Sequence, residues 1–316
     1  MPEQEVRFER RAIVVTGGGR GLGRAQALLL ASRGARIIVA DNGSAMSGAG
    51  QSEGPAQAVA NEIRSAGGEA VACTADLSTE EGAVAAIEAA ISAFGSIDGL
   101  IHYASTCPEL TPPERLQSRD VELVVRVNSL AGIWMARAAW PHMVKQNYGR
   151  MVFTPSAAIY GAVGNTPYAT AKASYIGMVR CLALEAIPHG ICVNAVLPSA
   201  STRMTEGFTG AYADWLRKTM SPEQVAVAAA YLLSEDCTVN GEAFALGGGR
   251  IARVVLSEAE GICNLDSIEA VRSAMPHVIA DASFFHPKDL SERSRKVAGL
   301  FGFDGGLNLS NAASTE

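Results

Sequence analysis

A glycine-rich segment, Thr16-Gly17-Gly18-Gly19-Arg20-Gly21-Leu22-Gly23, constrains the fold of this chain more than any other feature. It follows a short apolar run at residues 12–15 and precedes a helical stretch at residues 22–32. Glycines at a strand-to-helix turn let backbone N–H groups and the helix N-terminus approach a phosphate, where the helix dipole favours negative charge. Taken alone, the segment is also compatible with a tight turn that binds no ligand.

Apolar runs of strand length and helix length alternate along the chain. Strands are predicted at residues 12–15, 36–40, 70–74, 99–102, 150–153, 192–197 and 242–246, and helices at 22–32, 56–65, 80–94, 121–146 and 168–187 and after Ser221. This alternation predicts right-handed βαβ units and a Rossmann-type α/β fold, with a doubly wound parallel seven-stranded sheet in three α/β/α layers.

The domain organisation follows from the same rhythm. We expect residues 8–250 to form one dinucleotide-binding domain, with a Gly- and Ser-rich surface loop at residues 42–55. Residues 251–316 are expected to be a C-terminal extension that packs on the core or on a partner subunit, with a loose end from about residue 305. Pro141 is expected to kink the helix at residues 121–146 or to unsettle one of its turns.

Composition excludes several classes of protein. Hydrophobic residues make up 48% of the 316 residues, which argues against intrinsic disorder. A net charge of −6 without a basic block argues against nucleic acid or an anionic membrane as partner. The longest apolar run, residues 225–233, is too short to span a bilayer. Six scattered cysteines predict neither disulfides nor a metal site but a reducing compartment, for which we expect the cytoplasm.

Asp41 follows the second predicted strand and is a candidate for nucleotide recognition. A carboxylate at this position binds both ribose hydroxyls of NAD and repels the extra phosphate of NADP. An ordinary turn aspartate is the alternative. Arg20 favours a 2′-phosphate instead, but Asp41 lies nearer the ribose by its strand-end position, so NAD is predicted over NADP.

Tyr168 and Lys172 lie one helical turn apart on the same face of a predicted helix. The cation is expected to lower the pKa of the phenol, so that proton exchange with a substrate alcohol occurs near neutral pH. Ser156 lies just beyond the strand that precedes this helix.

Over about residues 8–250 the chain resembles the short-chain dehydrogenase/reductases. The residues that carry this resemblance, by their order and spacing, are Thr16–Gly23, Asp41, Asp76, Asn128, Ser156, Tyr168 and Lys172. Within that superfamily the chain is most similar to the (3R)-hydroxyacyl-CoA dehydrogenase part of the peroxisomal multifunctional enzymes. The segments that carry this likeness are Ala138-Ala139-Trp140, Tyr148-Gly149-Arg150, Ile159-Tyr160-Gly161, Pro198-Ser199-Ala200-Ser201-Thr202-Arg203-Met204-Thr205, the loop after Asp41 and the tail after Gly249.

The resemblance implies a catalytic set of four residues. Tyr168 would be the general acid/base, and Lys172 would bind the nicotinamide ribose and tune the phenol. Ser156 would hydrogen-bond to the substrate oxygen, and Asn128 would hold a water that relays protons. Alternatively, Asn128 caps a helix kink and Ser156 is a turn residue.

The resemblance also implies a cofactor site. Asp76 would contact the adenine amine, unless it caps the helix that begins near Thr79, and backbone at residues 198–202 would contact the nicotinamide amide. The full predicted set is Gly17, Gly19, Arg20, Gly21, Leu22, Gly23, Asp41, Asp76, Leu77, Ala104, Tyr168, Lys172, Pro198, Ala200 and Thr202.

The sequence departs from the family pattern around the predicted site. The family usually has Asn-Asn-Ala-Gly after the fourth strand, but this chain has His102-Tyr103-Ala104-Ser105. In addition, Pro155 precedes Ser156, and the interval from Ser156 to Tyr168 is one residue shorter than expected. His102 is interpreted as a catalytic base or as a packed or ribose-facing substitute. These departures leave open a second hypothesis, an impaired or silent NAD(H)-binding sensor or partner subunit.

A lid over the nicotinamide is expected at residues 202–219. Phe208, Tyr212 and Trp215 recur there at helical spacing and are predicted to line an apolar substrate pocket, or else to form one face of a short packed helix. The expected substrate is a bulky apolar secondary alcohol or ketone, first a 3-hydroxyacyl-CoA and second a hydroxysteroid. A homodimer or homotetramer assembled through the two long helices is a family-level expectation.

Overall fold

The computed structural model describes residues 5–207 and 209–302 of the chain. The backbone divides into two compact units, one up to Arg253 and one from Val254 onward. Each unit is described separately below.

Eight strands form one sheet in the described residues, in the order β3-β2-β1-β4-β5-β6-β7-β8. Their bounds are β1 Ala12–Thr16, β2 Arg36–Ala40, β3 Glu69–Cys73, β4 Gly99–His102, β5 Gly149–Phe153, β6 Ile191–Pro198, β7 Ala243–Gly247 and β8 Arg250–Val254. The first seven pair in parallel, so that Val14 lies beside Ile38 on one side and Leu100 on the other. The chain order reverses between β1 and β4, and in such sheets ligands bind at the carboxyl ends of the strands flanking this point.

The first unit also contains eight α-helices in its described residues. Their bounds are α1 Gly21–Ser32, α2 Gly54–Ser65, α3 Glu80–Phe94, α4 Ser118–Val125, α5 Ala131–Gln146, α6 Thr166–Ala186, α7 Gly210–Thr219 and α8 Pro222–Leu233. α8 begins with the predicted cap, since Ser221 and Gln224 form a reciprocal capping box.

Helices cover both faces of the sheet because successive strand residues point in opposite directions. Ile13 and Val15 join a core cluster with residues of α1, α2 and α8, whereas Val14 joins a second cluster with residues of α3, α5 and α6. The three-layer, doubly wound parallel sheet predicted from the sequence is therefore confirmed.

The structure corrects two details of that prediction. The sheet has an eighth strand, β8, which follows β7 after Gly248 and Gly249; both have positive φ, of 58° and 75°. A two-residue connection cannot make a parallel crossover, so β8 runs antiparallel to β7. The single helix expected at residues 121–146 is interrupted by a π-helical turn, Arg126–Leu130, between α4 and α5, while α5 itself continues through Pro141.

The second unit contains, in chain order, β9 Glu258–Ala259, α9 Ile268–Ala280, β10 Phe284–Phe285 and α10 Leu290–Leu300. The two short strands pair antiparallel. The Arg293 guanidinium donates two hydrogen bonds of 2.8 Å to the Glu258 carboxylate, which ties α10 to β9. No helix among the described residues is both long enough and apolar enough to cross a membrane.

Candidate active site

The glycine turn joins β1 to α1 with very close backbone contacts. Gly17 has φ +64°, and a Cβ there would lie 2.9 Å from the backbone nitrogen of Ala104. A Cβ on Gly23 would lie 2.1 Å from the carbonyl oxygen of Gly17. α1 has no side-chain cap at Arg20 and no acidic residue in its first turn, so its N-terminus is suited to an anion.

A cleft of about 510 Å³ opens at this turn. It lies where the carboxyl ends of β1, β2 and β4 meet, as expected for the switch point of the sheet. Ten of the predicted cofactor residues line it: Gly17, Arg20, Gly21, Leu22, Gly23, Asp41, Asp76, Leu77, Ala104 and Thr202. Gly19, Pro198, Ala200, Tyr168 and Lys172 are not among its lining residues.

Asp41 lines the cleft and also holds its own loop. Its carboxylate accepts a hydrogen bond of 2.9 Å from the Gly19 N–H and one of 2.8 Å from the Gly43 N–H. Both features expected of this residue, a cleft position and a turn role, therefore occur together. Burial lowers the pKa of the neighbouring Arg203 guanidinium, as does the charge of Arg20, while the charge of Asp41 raises it. Two arginines thus lie near this carboxylate.

The loop after β2, which was predicted to be a surface loop, forms a wall of the cleft. Met46 is its anchor: its carbonyl accepts a hydrogen bond from the Thr106 hydroxyl at 2.9 Å and one from the Cys107 N–H at 2.9 Å. The residues of this loop that line the cleft are Asn42, Ser44, Ala45, Met46, Gly48, Gly50 and Gln51. Its glycine and serine content identified a loop but contained no signal for what the loop covers.

His102 is a buried, neutral side chain at the end of β4. Its Nε2 lies 3.2 Å from the carbonyl of Val127, to which it can only donate, so Nδ1 accepts the hydrogen bond of 2.8 Å from the Thr16 hydroxyl. Burial, followed by the charge of Lys172, lowers the pKa of His102 to about 3. Of the interpretations raised from the sequence, this geometry fits the packed substitute, and His102 does not line the cleft.

Asn128 lies in the π-helical turn and is fully buried. Its amide donates a 2.6 Å hydrogen bond to the carbonyl of Thr106, and its Oδ1 accepts from the Ser105 hydroxyl at 2.7 Å and from the Thr106 N–H at 3.3 Å. The side chain therefore fixes the loop after β4. The π-helical turn that presents it was not predicted, since one extra residue in a helical turn leaves no clear mark on hydrophobic spacing.

Tyr168 is 7% exposed in the first turn of α6. Burial raises the pKa of its phenol, and the nearby hydroxyls of Ser156 and Ser105 offset this effect in part. The net direction is therefore opposite to the lowering expected from Lys172, because burial dominates. The short interval to Ser156 still leaves that hydroxyl at the phenol.

Lys172 is fully buried one turn further along α6. Its Nζ lies 5.8 Å from the centroid of the Tyr168 ring and 5.7 Å from that of Tyr175. Burial lowers the pKa of this ammonium to about 7, so a proton can leave or join it near neutral pH. The site therefore combines a phenol, a titratable amine and two hydroxyls at the edge of a nucleotide-sized cleft.

Two of the three predicted substrate residues lie on α7. Tyr212 and Trp215 pack against each other on α7, with ring centroids 5.6 Å apart, and are 61% and 45% exposed. Neither lines the cleft. Phe208 lies outside the described residues. No group of three His, Cys, Asp or Glu side chains within residues 5–207 and 209–302 is placed to hold a metal ion.

Residues 11–212 match the family model of the short chain dehydrogenases. A short-chain type dehydrogenase/reductase of Mycobacterium tuberculosis is 38% identical over 263 residues, which cover 83% of this chain and 90% of that protein.

The peroxisomal multifunctional enzyme type 2 of Drosophila melanogaster is 37% identical over 258 residues, covering 81% of this chain and 42% of the enzyme. Its full-length structure has a TM-score of 0.77 at 29% identity and covers 94% of this chain and 50% of the other. The chain thus spans about half or less of that enzyme. A short-chain dehydrogenase from Burkholderia cenocepacia in complex with NADP has a TM-score of 0.66 at 30% identity, covering 77% of this chain and 98% of that one.

Proposed function

The chain belongs to the short-chain dehydrogenase/reductase family, and on that premise we propose that it is an NAD-dependent oxidoreductase that interconverts a bulky apolar secondary alcohol and its ketone. The observation that carries the proposal is that the Tyr168 phenol lies close to a residue that lines the cleft. Ser105 lines the cleft, and its hydroxyl and that of Ser156 lie near enough to the Tyr168 phenol to lower its pKa.

The residues of the cleft fit a dinucleotide. The uncapped N-terminus of α1 and the side-chain-free surface at Gly17 and Gly23 suit a pyrophosphate. The Asp41 carboxylate suits the hydroxyls of an adenosine ribose, which favours NAD. When bound, the nicotinamide takes or supplies the hydride.

The protein side chains handle the proton. In alcohol oxidation, Tyr168 as phenolate accepts the carbinol proton while the Ser156 hydroxyl holds the substrate oxygen. Lys172, protonated, favours the phenolate electrostatically. Asn128 keeps the loop after β4 in place through its three hydrogen bonds to residues 105 and 106.

Exposed apolar side chains on the two loops that meet just before α6 support an apolar substrate. Leu110, Tyr160 and Val163 are 65%, 74% and 97% exposed, and we call them the apolar rim. The Thr111 N–H donates a 2.8 Å hydrogen bond to the Gly164 carbonyl, which holds the two loops of this rim together just before α6. A 3-hydroxyacyl-CoA is our first choice of substrate and a hydroxysteroid the second; both choices rest on the resemblance to the multifunctional enzymes.

The direct test is formation of reduced nicotinamide with NAD and a panel of secondary alcohols, including 3-hydroxyacyl-CoA thioesters of increasing chain length and hydroxysteroids. We expect turnover that rises with chain length and is lost in Tyr168→Phe, with Tyr231→Phe on α8 as the matched control. Turnover that survives Tyr168→Phe would remove the phenol from the mechanism. For cofactor preference, Asp41→Ala should lower kcat/KM for NAD relative to NADP, and an unchanged ratio would refute the role of Asp41.

A silent NAD(H)-binding protein is the alternative. Burial raises the pKa of the Tyr168 phenol and so opposes formation of the phenolate, which favours this alternative. Calorimetry that detects tight NAD binding, together with no turnover on any alcohol of the panel, would establish this alternative.

We further propose a homodimer or homotetramer in the cytoplasm. Ile133 on α5 and Leu184 on α6 are 44% and 48% exposed, so the long helices present apolar side chains that a second copy can cover. All six cysteines are free, which suits a reducing compartment. Light scattering of the purified protein and microscopy of the tagged chain would decide both points, with monomers or peroxisomal localisation as the contrary results.

A further inference from the structure

Two arginines line the cleft at the glycine turn. Arg20 comes directly before α1, and Arg203 belongs to a short turn, Arg203–Thr205, that follows β6. Within residues 5–207 and 209–302, neither guanidinium has a hydrogen bond or an ion pair, although Asp41 lines the same cleft. An anion that enters this cleft therefore meets two guanidinium groups whose donors are not already in use.

The turn that contains Arg203 lies against the first residue of α1. Thr202 Cγ2 is 3.5 Å from the position that a Cβ on Gly21 would take. The Thr205 hydroxyl fixes the turn, because it accepts a 3.0 Å hydrogen bond from the Thr202 N–H and donates a 2.8 Å one to the Thr202 carbonyl. Arg203, the next residue in the chain, is therefore held at the N-terminus of α1.

The position of Asp41 indicates which anion Arg203 meets. The Asp41 carboxylate, which suits the adenosine ribose, accepts a hydrogen bond from the Gly19 N–H. Arg203 instead follows the residue that contacts Gly21, at the end of the glycine turn where α1 begins. The free N–H groups of a helix N-terminus bind phosphate. This placement favours the pyrophosphate of a dinucleotide over a 2′-phosphate on its ribose.

Electrostatics add to this argument. Burial, followed by the charge of Arg20, lowers the pKa of the Arg203 guanidinium, while the charges of Asp41 and Glu206 raise it. Glu206 does not line the cleft, and the Asp41 carboxylate already accepts two backbone N–H groups. The negative charges of a pyrophosphate would offset the repulsion between the two arginines.

We propose that Arg203 is a cofactor-binding residue that holds the pyrophosphate of the dinucleotide at the N-terminus of α1. The proposal rests on the proposed function, of which the dinucleotide is the cofactor, and it adds a charged side chain from the segment after β6 to the glycine turn. The guanidinium donates hydrogen bonds to the phosphate oxygens, a pairing for which its planar set of donors is well suited. Arg203 is exposed, so a bound nucleotide can reach it.

Binding of ADP, which has the diphosphate but no nicotinamide, tests this role without turnover. Calorimetry should give an affinity at least about tenfold lower in Arg203→Ala, as expected for the loss of a hydrogen bond between charged groups. Arg203→Lys should recover part of the affinity, because it keeps the charge. The affinity of Arg203→Ala should also depend less on the concentration of sodium chloride, since salt screens one charge pair fewer.

Arg137→Ala is the matched control, because it removes one positive charge from α5 without touching the cleft. The Arg137 guanidinium is exposed and pairs with Glu80. This variant should bind ADP as the wild type does. Thermal melts identify any variant that does not fold, and Arg203→Lys then replaces Arg203→Ala, with a smaller loss of affinity expected than for the alanine.

Three results would overturn the proposal. The first is an ADP affinity that is unchanged in Arg203→Ala, or a wild type that does not bind ADP. The second is a loss with unchanged salt dependence and no recovery in Arg203→Lys, which would indicate a change in the shape of the cleft. The third is a loss of affinity for NADP but not for ADP or NAD, which would place Arg203 at a 2′-phosphate.

The proposed function is tested separately. If no alcohol is oxidised but Arg203→Ala weakens ADP binding, the dehydrogenase proposal fails and the role of Arg203 stands. Turnover of an alcohol by a protein in which Arg203→Ala leaves ADP binding unchanged would give the reverse conclusion.

Discussion

The buried His102 should make the stability of this protein sensitive to mild acid. Burial lowers its pKa from 6.5 to about 3 in the folded chain. In the unfolded chain the imidazole titrates at its ordinary pKa, so below about pH 6.5 the unfolded state binds a proton that the folded state does not. Stability contributed by the neutral ring is therefore complete above that pH and is lost progressively as the pH falls toward 3.

The magnitude follows from linkage. Between about pH 7.5 and about pH 5.5 the unfolded imidazole gains most of one proton while the folded one stays neutral, which lowers the free energy of unfolding by about 1.4 kcal/mol. His102→Asn removes this contribution, since the amide does not titrate. Carboxylates and Lys172 are shared by both proteins, so their contributions cancel in the comparison.

Urea unfolding at the two pH values measures the effect directly. The wild type should lose about 1.4 kcal/mol more than His102→Asn between them, whatever the absolute stability of the variant. Equal losses in the two proteins would show that the folded imidazole takes up its proton as readily as the unfolded one. The buried, tautomer-specific hydrogen bonds of His102 to Thr16 and Val127 would then be incorrectly assigned.

Four further substitutions test other parts of the structure by urea unfolding. Gly23→Ala places a Cβ 2.1 Å from the Gly17 carbonyl oxygen, so it should lower the free energy of unfolding by about 2–3 kcal/mol and abolish NAD binding in calorimetry. Tight NAD binding by this variant would contradict the role of the glycine turn as the pyrophosphate site. The hydroxyl of Thr154 is buried without a hydrogen-bond partner among the described residues, so Thr154→Val should leave stability unchanged or raise it by about 1 kcal/mol. The matched Thr16→Val removes a hydroxyl with two partners and should cost about 2–3 kcal/mol, and equal effects in the two variants would refute the assignment. The Asp98 carboxylate accepts hydrogen bonds from the Arg11 guanidinium, from the Ala12 N–H at the start of β1 and from the Ser96 hydroxyl. Asp98→Ala removes this acceptor and should lower the free energy of unfolding by about 2–4 kcal/mol. A loss below about 1 kcal/mol would contradict this role.

The features that the sequence predicted are those set by local pattern. Strand and helix runs, the glycine turn and the Ser221 cap each depend on neighbouring residues, and the parallel sheet covered on both faces follows from the right-handed βαβ units. β8 was missed because Gly248-Gly249 was interpreted as the end of the domain, although two adjacent glycines with positive φ are a hairpin turn.

The features that the sequence did not predict depend on burial and on contacts between distant segments. The spacing of Tyr168 and Lys172 brings a cation near a phenol, but burial is the largest influence on the pKa of each. The local sequence pattern does not reveal how deeply each group is buried. The hydrogen bond from Thr106 to the Met46 carbonyl joins segments 60 positions apart. Only the folded chain reveals that this loop lines the cleft.

The buried amine of the site favours an enzyme over a silent binding protein. The substituted loop after β4 is compatible with either, because its polar replacements are bonded within the fold: His102 to the glycine turn and the π-helical turn, and Ser105 to Asn128. Lys172 separates the two, because burying an amine until its pKa falls to about 7 opposes folding below its ordinary pKa. A neutral hydroxyl or amide could contact a nicotinamide ribose without this cost, whereas a proton-transfer site needs a group that titrates near neutral pH.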